Sequence, residues 1–316
     1  MTKTETIIAE AAEKYRNWGK WGSHDQLGTL NYITPAMIAA ATQLVKRGKV
    51  FSLALSLDSS GPQKGAMNRF NPVHSMLADG GDWSAGQRPF ANGIAGADDI
   101  VTMPLQCATH WDALSHIFDH GKMWNGYEAA EVTSQGAARN GIEQATERLV
   151  GRGVLLDIAR YKKVQALADG YAITEDDLLA CMQAQGATSS IGRGDIVLIR
   201  TGQLGQARKT GWGTYAGGEA PGLSFYTLDW LSRTEIAAIA CDTWGLEVRP
   251  NELAGAFQPL HQIAIPNMGL TLGEMFELDA LATDCAEDGI YEFLLVAAPL
   301  PFTGAVGAPA NPQAMK

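Results

Sequence analysis

The sequence predicts an α/β protein. Three short runs rich in Ile, Val and Leu, at residues 153–158, 195–200 and 236–241, read as strands. Between the first two lies a helical stretch, 174–185, which opens on Thr174 with Asp177 three residues later, a capping pattern. Such alternation is what a sheet with helices packed on its faces produces. At 316 residues and 46% hydrophobic content the chain can bury one large core, and we read it as a single unit, residues 1–316, with an N-terminal extension over about the first 48.

Charge narrows the function. With 24 Lys and Arg against 34 Asp and Glu the net charge is −10, and no basic run interrupts it, so nothing points to nucleic acid or an anionic membrane surface. A small neutral or cationic substrate is easiest to reconcile with that balance. Cys107, Cys181, Cys241 and Cys285 are scattered, without a CxxC pair, and read as buried free thiols of a reducing compartment. The polar N-terminus carries no signal-type apolar core, and no apolar run approaches the ~20 residues of a membrane span. The expected location is cytoplasmic.

In chain order, 5–17 reads as an amphipathic helix, followed by a Gly and Trp-rich loop in which Trp18 and Trp21 serve as aromatic anchors or as a subunit contact. Thr34 and Pro35 open a helix expected to run over 36–47 and to end at Gly48. Residues 51–57 alternate as a first strand. The long passage 58–98 has little periodicity yet holds Arg69, Asn71, His74, Met76, Trp83 and Phe90, too aromatic for a linker. We expect it to form a wall or lid, with His74 and Trp83 touching substrate. Trp124, in a turn after the next segment, is expected to close the pocket from another side.

That next segment, PLQCATHWDALSHIFDH at 104–120, holds three of the six histidines. If 100–112 runs as one strand, Gln106, Ala108, His110 and Asp112 share a face, and an amide oxygen, an imidazole and a carboxylate converge on one divalent ion. Leu105, Cys107, Thr109 and Trp111 then face the core. His116, just beyond, is placed to turn back as a proton carrier. Elsewhere the glycines of 200–224 do not follow GxGxxG spacing, and neither a Walker A string nor GxSxG occurs.

The segment resembles the HxGTHxDxxxH motif of the metal-dependent cyclase family, which includes bacterial kynurenine formamidase, isatin hydrolase and trans-dienelactone hydrolase. The second His, the Asp and the last His of the motif fall on His110, Asp112 and His116. Its first His falls on Gln106 and its Gly on Ala108, which favours one ion per subunit, with Mn²⁺ preferred and Zn²⁺ the alternative. A later stretch, FQPLHQIAIPNMGLTLGEMFELDAL, is similar to the second site region of the same family. It supplies His261 as a second metal position or substrate contact, and Glu274 as a catalytic partner that tunes His116.

The resemblance implies a swivelling β/β/α fold with a central mixed sheet or barrel flanked by helices, assembled as a homodimer or homotetramer. It also implies a metal-dependent hydrolase that attacks an amide or lactone with activated water. A lyase or isomerase acting on a carbonyl compound, and a binding protein with a decayed site, are the other classes in play.

Overall fold

The computed structural model describes residues 2–87, 90–186 and 190–316. Its centre is a curled, open nine-stranded mixed sheet. The strand order is Val50–Ser52, Gln313–Met315, Glu292–Val296, Val150–Asp157, Ile196–Arg200, Ala238–Cys241, Thr271–Glu274, His110–Asp112, Gly307–Pro309. The four strands from Val150 to Glu274 run parallel, and antiparallel strands flank them on both edges.

Both faces of the parallel strands are covered, which is why their sequences are nearly all apolar. Side chains alternate between two cores. Val197, Ile199, Ile239, Leu270 and Leu272 enter one together with Leu260 and Ile263, while Ile196, Leu198, Ala238 and Ala240 enter the other with Trp111, Phe276 and Phe293. Helix Lys3–Tyr15 carries a capping box of Thr2 and Glu5 and adds Ile8, Ala11 and Ala12 to the first core. Gly273 has no Cβ because Trp111 lies on it: an added carbon would stand 2.7 Å from that ring.

The helix Glu175–Gln185 forms as expected, capped by Thr174 and Asp177. Other elements differ. The helix opened by Thr34 is Pro35–Thr42 and stops short, because Arg47 and Lys49 donate their backbone amides to the Lys316 carbonyl at the sheet edge. The strand expected over 100–112 is two strands, Asp98–Thr102 and His110–Asp112, with turns between them. The former pairs with Val73–Ala78 in a separate, solvent-exposed hairpin, so much of the expected wall or lid is a projecting arm. Trp18 and Trp21 are anchors within the chain: Trp18 Nε1 donates to the Pro266 carbonyl at 2.7 Å, and Trp21 packs edge-on against Tyr32. All four cysteines are buried and unpaired. No helix among the described residues is long and apolar enough to cross a membrane.

Candidate metal centre

Strand parity builds the site. Trp111 points into one core, so His110 and Asp112, one residue to either side, point to the opposite face. In the antiparallel register His110 stands directly across from Glu274, the last residue of a parallel strand. Leu270 and Leu272 share Glu274's parity and face the same side, toward the short helix Pro259–Ala264, which brings His261. Ligand sites form where parallel strands end at their carboxyl edge, and this one obeys that rule.

The four side chains meet there, each less than 5% exposed. Ligand-type atoms of Asp112, His261 and Glu274 all lie within 4.8 Å of one another. His110 Nε2 is 3.3 Å from Asp112 Oδ1 and 3.4 Å from Glu274 Oε2, and His261 Nε2 is 3.2 Å from Glu274 Oε1. Each imidazole is anchored from behind. His110 Nδ1 lies 2.8 Å from the Ala108 carbonyl and His261 Nδ1 lies 2.6 Å from Glu247 Oε1. Carbonyl and carboxylate oxygens only accept, so both Nδ1 atoms carry hydrogen and both Nε2 atoms are turned into the cluster. That is how metal-ligating histidines are held.

Electrostatics favours a cation at this point. Burial pushes the His261 imidazolium down, yet its hydrogen bonds to Glu247 and Glu274 outweigh that and raise its pKa to about 10. Burial likewise pushes the Asp112 carboxyl up, but His116 and His110 hold it well below the usual carboxylate range. His110 Nε2 and Asp112 Oδ2 are buried without any hydrogen-bond partner. Two orphaned acceptors within one buried carboxylate cluster are costly unless something positive lies beside them. The residues therefore fit a divalent ion.

The backbone is bent to make the cluster. Met275 after Glu274, Leu246 before Glu247 and Gln258 at the start of the His261 helix all adopt φ near +50 to +58°. Side-chain-bearing residues in that region cost of order 1–3 kcal/mol each and gather where geometry serves function.

Placement corrects several expectations. Gln106, expected to face an ion, is bonded here through both ends of its amide: Nε2 donates to Asp112 Oδ1 at 2.6 Å, and Oε1 accepts from Arg69 Nη2 at 3.1 Å. It steadies the carboxylate instead. Glu274 sits between His110 and His261 and pulls the His116 pKa up only through space; the acid nearest His116 is Asp112, with Oδ1 3.9 Å from Nε2. His261 joins the same cluster and does not mark a separate one. His116 is the only one of the clustered histidines with solvent access, its side chain 22% exposed, and burial lowers its pKa despite the pull of Asp112.

Of the expected substrate contacts, His74 pairs with Asp99 on the exposed hairpin and lines a cavity of about 640 Å³ shared with Gln63 and Arg69. Trp83 is exposed on the helix Gly80–Ser84 of the same arm. Trp124 is wholly buried, packed against Gly269 and Trp21, with Nε1 donating to Asp25, so it is core and not a pocket wall. Cys107, whose thiol burial pushes up to about 11, takes no part in the cluster.

Glu247 is the residue that sequence reasoning passed over. A single acid between Leu246 and Val248 is its only signal.

Residues 24–248 match the model of the family described as "Putative cyclase". A crystal structure of a novel cyclase is 41% identical with a TM-score of 0.88, covering 96% of this chain and 100% of that one. Isatin hydrolase A from Ralstonia solanacearum (19% identical, TM-score 0.63, 89% of this chain and 97% of that one) is similar in fold. So is a "predicted metal-dependent hydrolase from Bacillus stearothermophilus" (19%, TM-score 0.52, 85% and 98%). No curated protein matches the chain.

Proposed function

Because the chain belongs to the cyclase family, we propose that it is a metal-dependent hydrolase that opens or cleaves an amide or lactone bond in a small aromatic or cyclic substrate. One observation carries the reading: two buried imidazoles, each tied back through Nδ1–H, turn their Nε2 atoms toward Asp112 and Glu274. The isatin hydrolases among its structural neighbours support a cyclic amide in particular.

His110, Asp112, His261 and Glu274 would hold one divalent ion per chain. Two nitrogens and two carboxylates suit Zn²⁺ and Mn²⁺ alike, and the preference for Mn²⁺ argued from an amide ligand loses its basis with Gln106 bonded elsewhere. Bound there, such an ion supplies Lewis acidity, polarising a carbonyl and making water acidic enough to ionise near neutral pH. The chain does the rest. Glu247 fixes the His261 tautomer, and Gln106 holds Asp112 through Oδ1 so that Oδ2 stays available. His116, neutral at pH 7 and at the rim, accepts a proton from water and delivers it to the leaving nitrogen or oxygen.

The test is metal analysis of the purified protein, then turnover of formanilides, isatin-like lactams and lactones in H₂¹⁸O with that metal restored. We expect one ion per chain, its loss in His110→Ala and Asp112→Ala, and ¹⁸O in the product carboxylate. Turnover without solvent oxygen in the product makes the enzyme a lyase or isomerase. A protein that binds no divalent ion sinks the proposal.

A further inference from the structure

Two guanidinium groups share one aromatic ring near the candidate metal centre, and neither has an acid partner among the described residues. Arg69 donates from Nη1 and Nη2 to the backbone and side-chain oxygens of Gln106, the residue that holds Asp112. Arg249 donates from Nη2 to the Gly217 carbonyl at 2.8 Å, while its Nη1 is buried with no partner at all. Both are mounted on one ring: their central carbons lie 5.3 and 5.5 Å from the centroid of Trp244, itself only 4% exposed.

The contrast with the other well-buried arginines is informative. Arg200 and Arg152 are each held between two carboxylates, Asp157 with Asp279 and Asp195 with Glu292. Removing a guanidinium from water is compensated only by such pairing. For Arg249, burial outweighs the more distant attraction of Glu247 and Glu274 and lowers its pKa, the sign of a cation short of an anion. Asp112 and Glu274 belong to the candidate metal centre and form no ion pair with Arg249. Arg69 also forms part of the wall of the 640 Å³ cavity, so this member of the pair can be reached from solvent.

We propose that Arg69 and Arg249, set on Trp244, receive a carboxylate carried by the substrate, so that the enzyme acts on carboxylated cyclic amides or lactones. The planar fork of a guanidinium matches a carboxylate. A monoanion is favoured over a dianion such as phosphate, because Glu247 and Glu274 lie close by and repel the second charge. This reverses the neutral or cationic substrate suggested by the net charge: the local field, set by two unpaired arginines, decides. The reaction named here rests on the hydrolase reading, but the anion site does not.

Benzoate and its neutral isostere benzamide are titrated calorimetrically into metal-loaded wild-type protein, Arg69→Met and Arg249→Met, with inorganic phosphate as a third probe. Circular dichroism and bound-metal content qualify each variant. Wild-type protein is expected to bind benzoate at least about tenfold more tightly than benzamide and than phosphate, and each variant to lose about tenfold in benzoate affinity while benzamide is unaffected. Equal binding of benzoate and benzamide overturns the proposal. So does a benzoate preference that survives in both variants, as the ion alone would give, or phosphate binding as tight as benzoate. If a Met variant does not fold, the Lys variant at that position keeps the charge and loses the fork; it is expected to weaken benzoate, and unchanged affinity there also overturns the proposal. Loss of the preference in a protein that turns over no amide or lactone leaves the anion site standing and removes the hydrolase reading, and the converse result does the opposite.

Discussion

Glu247 grips His261 twice, through its backbone amide at 3.0 Å and through Nδ1 at 2.6 Å, both on the same carboxylate oxygen. The other oxygen accepts the Leu260 amide at 3.2 Å. One buried acid therefore satisfies the free N–H groups at the start of a six-residue helix and sets the tautomer of the imidazole that the helix carries. Fold and site are joined at that residue.

Glu247→Gln is expected to keep the fold, since an amide oxygen still accepts from the helix, and to weaken metal binding roughly 10 to 100-fold by making the imidazole a poorer donor. Chelator competition measures it. An unchanged affinity means that His261 is not a ligand.

The same contact makes the metal-free protein sensitive to pH. The folded His261 titrates near 10 against an ordinary 6.5, so the stability it contributes is fully present below pH 6.5 and is lost as pH rises toward 10. Thermal melts of chelator-treated protein should fall by several degrees between pH 7 and 10. In Glu247→Gln the slope over that window should flatten; an equal slope in both proteins assigns the effect to other groups.

The parts of this design that were legible in the sequence are those with local signals. Parity about Trp111 put His110 and Asp112 on one face correctly even though the strand is only three residues long, because alternation is a property of two neighbours. The Thr174 cap was likewise readable, since capping is decided within four residues. The orientation of Gln106, read from the sequence as a ligand, depends on Arg69, 37 positions away, and no periodicity connects the two. Glu247 and the strand Thr271–Glu274 were missed for a related reason: a buried acid is recognisable only once its imidazole partner is in place, and a four-residue strand between turns has too little pattern to declare itself. Trp124 was taken for a pocket wall because a Gly-rich turn usually lies at the surface, whereas here Gly269 opens the space in which its ring is buried.

Gln106→Ala tests the corrected role. Losing a donor to Asp112 should reduce metal affinity about tenfold or more, with one ion per chain still bound when metal is in excess. His110→Ala, by contrast, should lose the ion. Equal, complete loss in both would restore Gln106 as a ligand.

Trp124→Ala is expected to cost about 3–5 kcal/mol of stability, the usual penalty for emptying an aromatic site in a packed core, with the anchors on Trp21 and Asp25 lost as well. Urea denaturation of the metal-loaded protein reads this directly. A stable variant with altered KM would return Trp124 to the pocket.

The protonation state of His116 governs the proton transfer. The ring must be neutral to accept a proton, and burial lowers its pKa below 6.5 against the opposing pull of Asp112; a divalent ion alongside acts in the same direction as burial. Turnover should therefore be flat through pH 7 and fall only as pH drops through that lowered value, giving an acid limb below 6.5 in kcat/KM. His116→Ala should reduce kcat roughly 100 to 10,000-fold while leaving metal content at one ion per chain, and it should abolish the limb. Because Glu274 acts on the His116 ring through space and holds its pKa up, Glu274→Gln should weaken metal binding and shift the limb to lower pH, without abolishing it. A His116→Ala protein that has lost its ion would make the residue a ligand. One that keeps both ion and limb would leave the proton shuttle to another group.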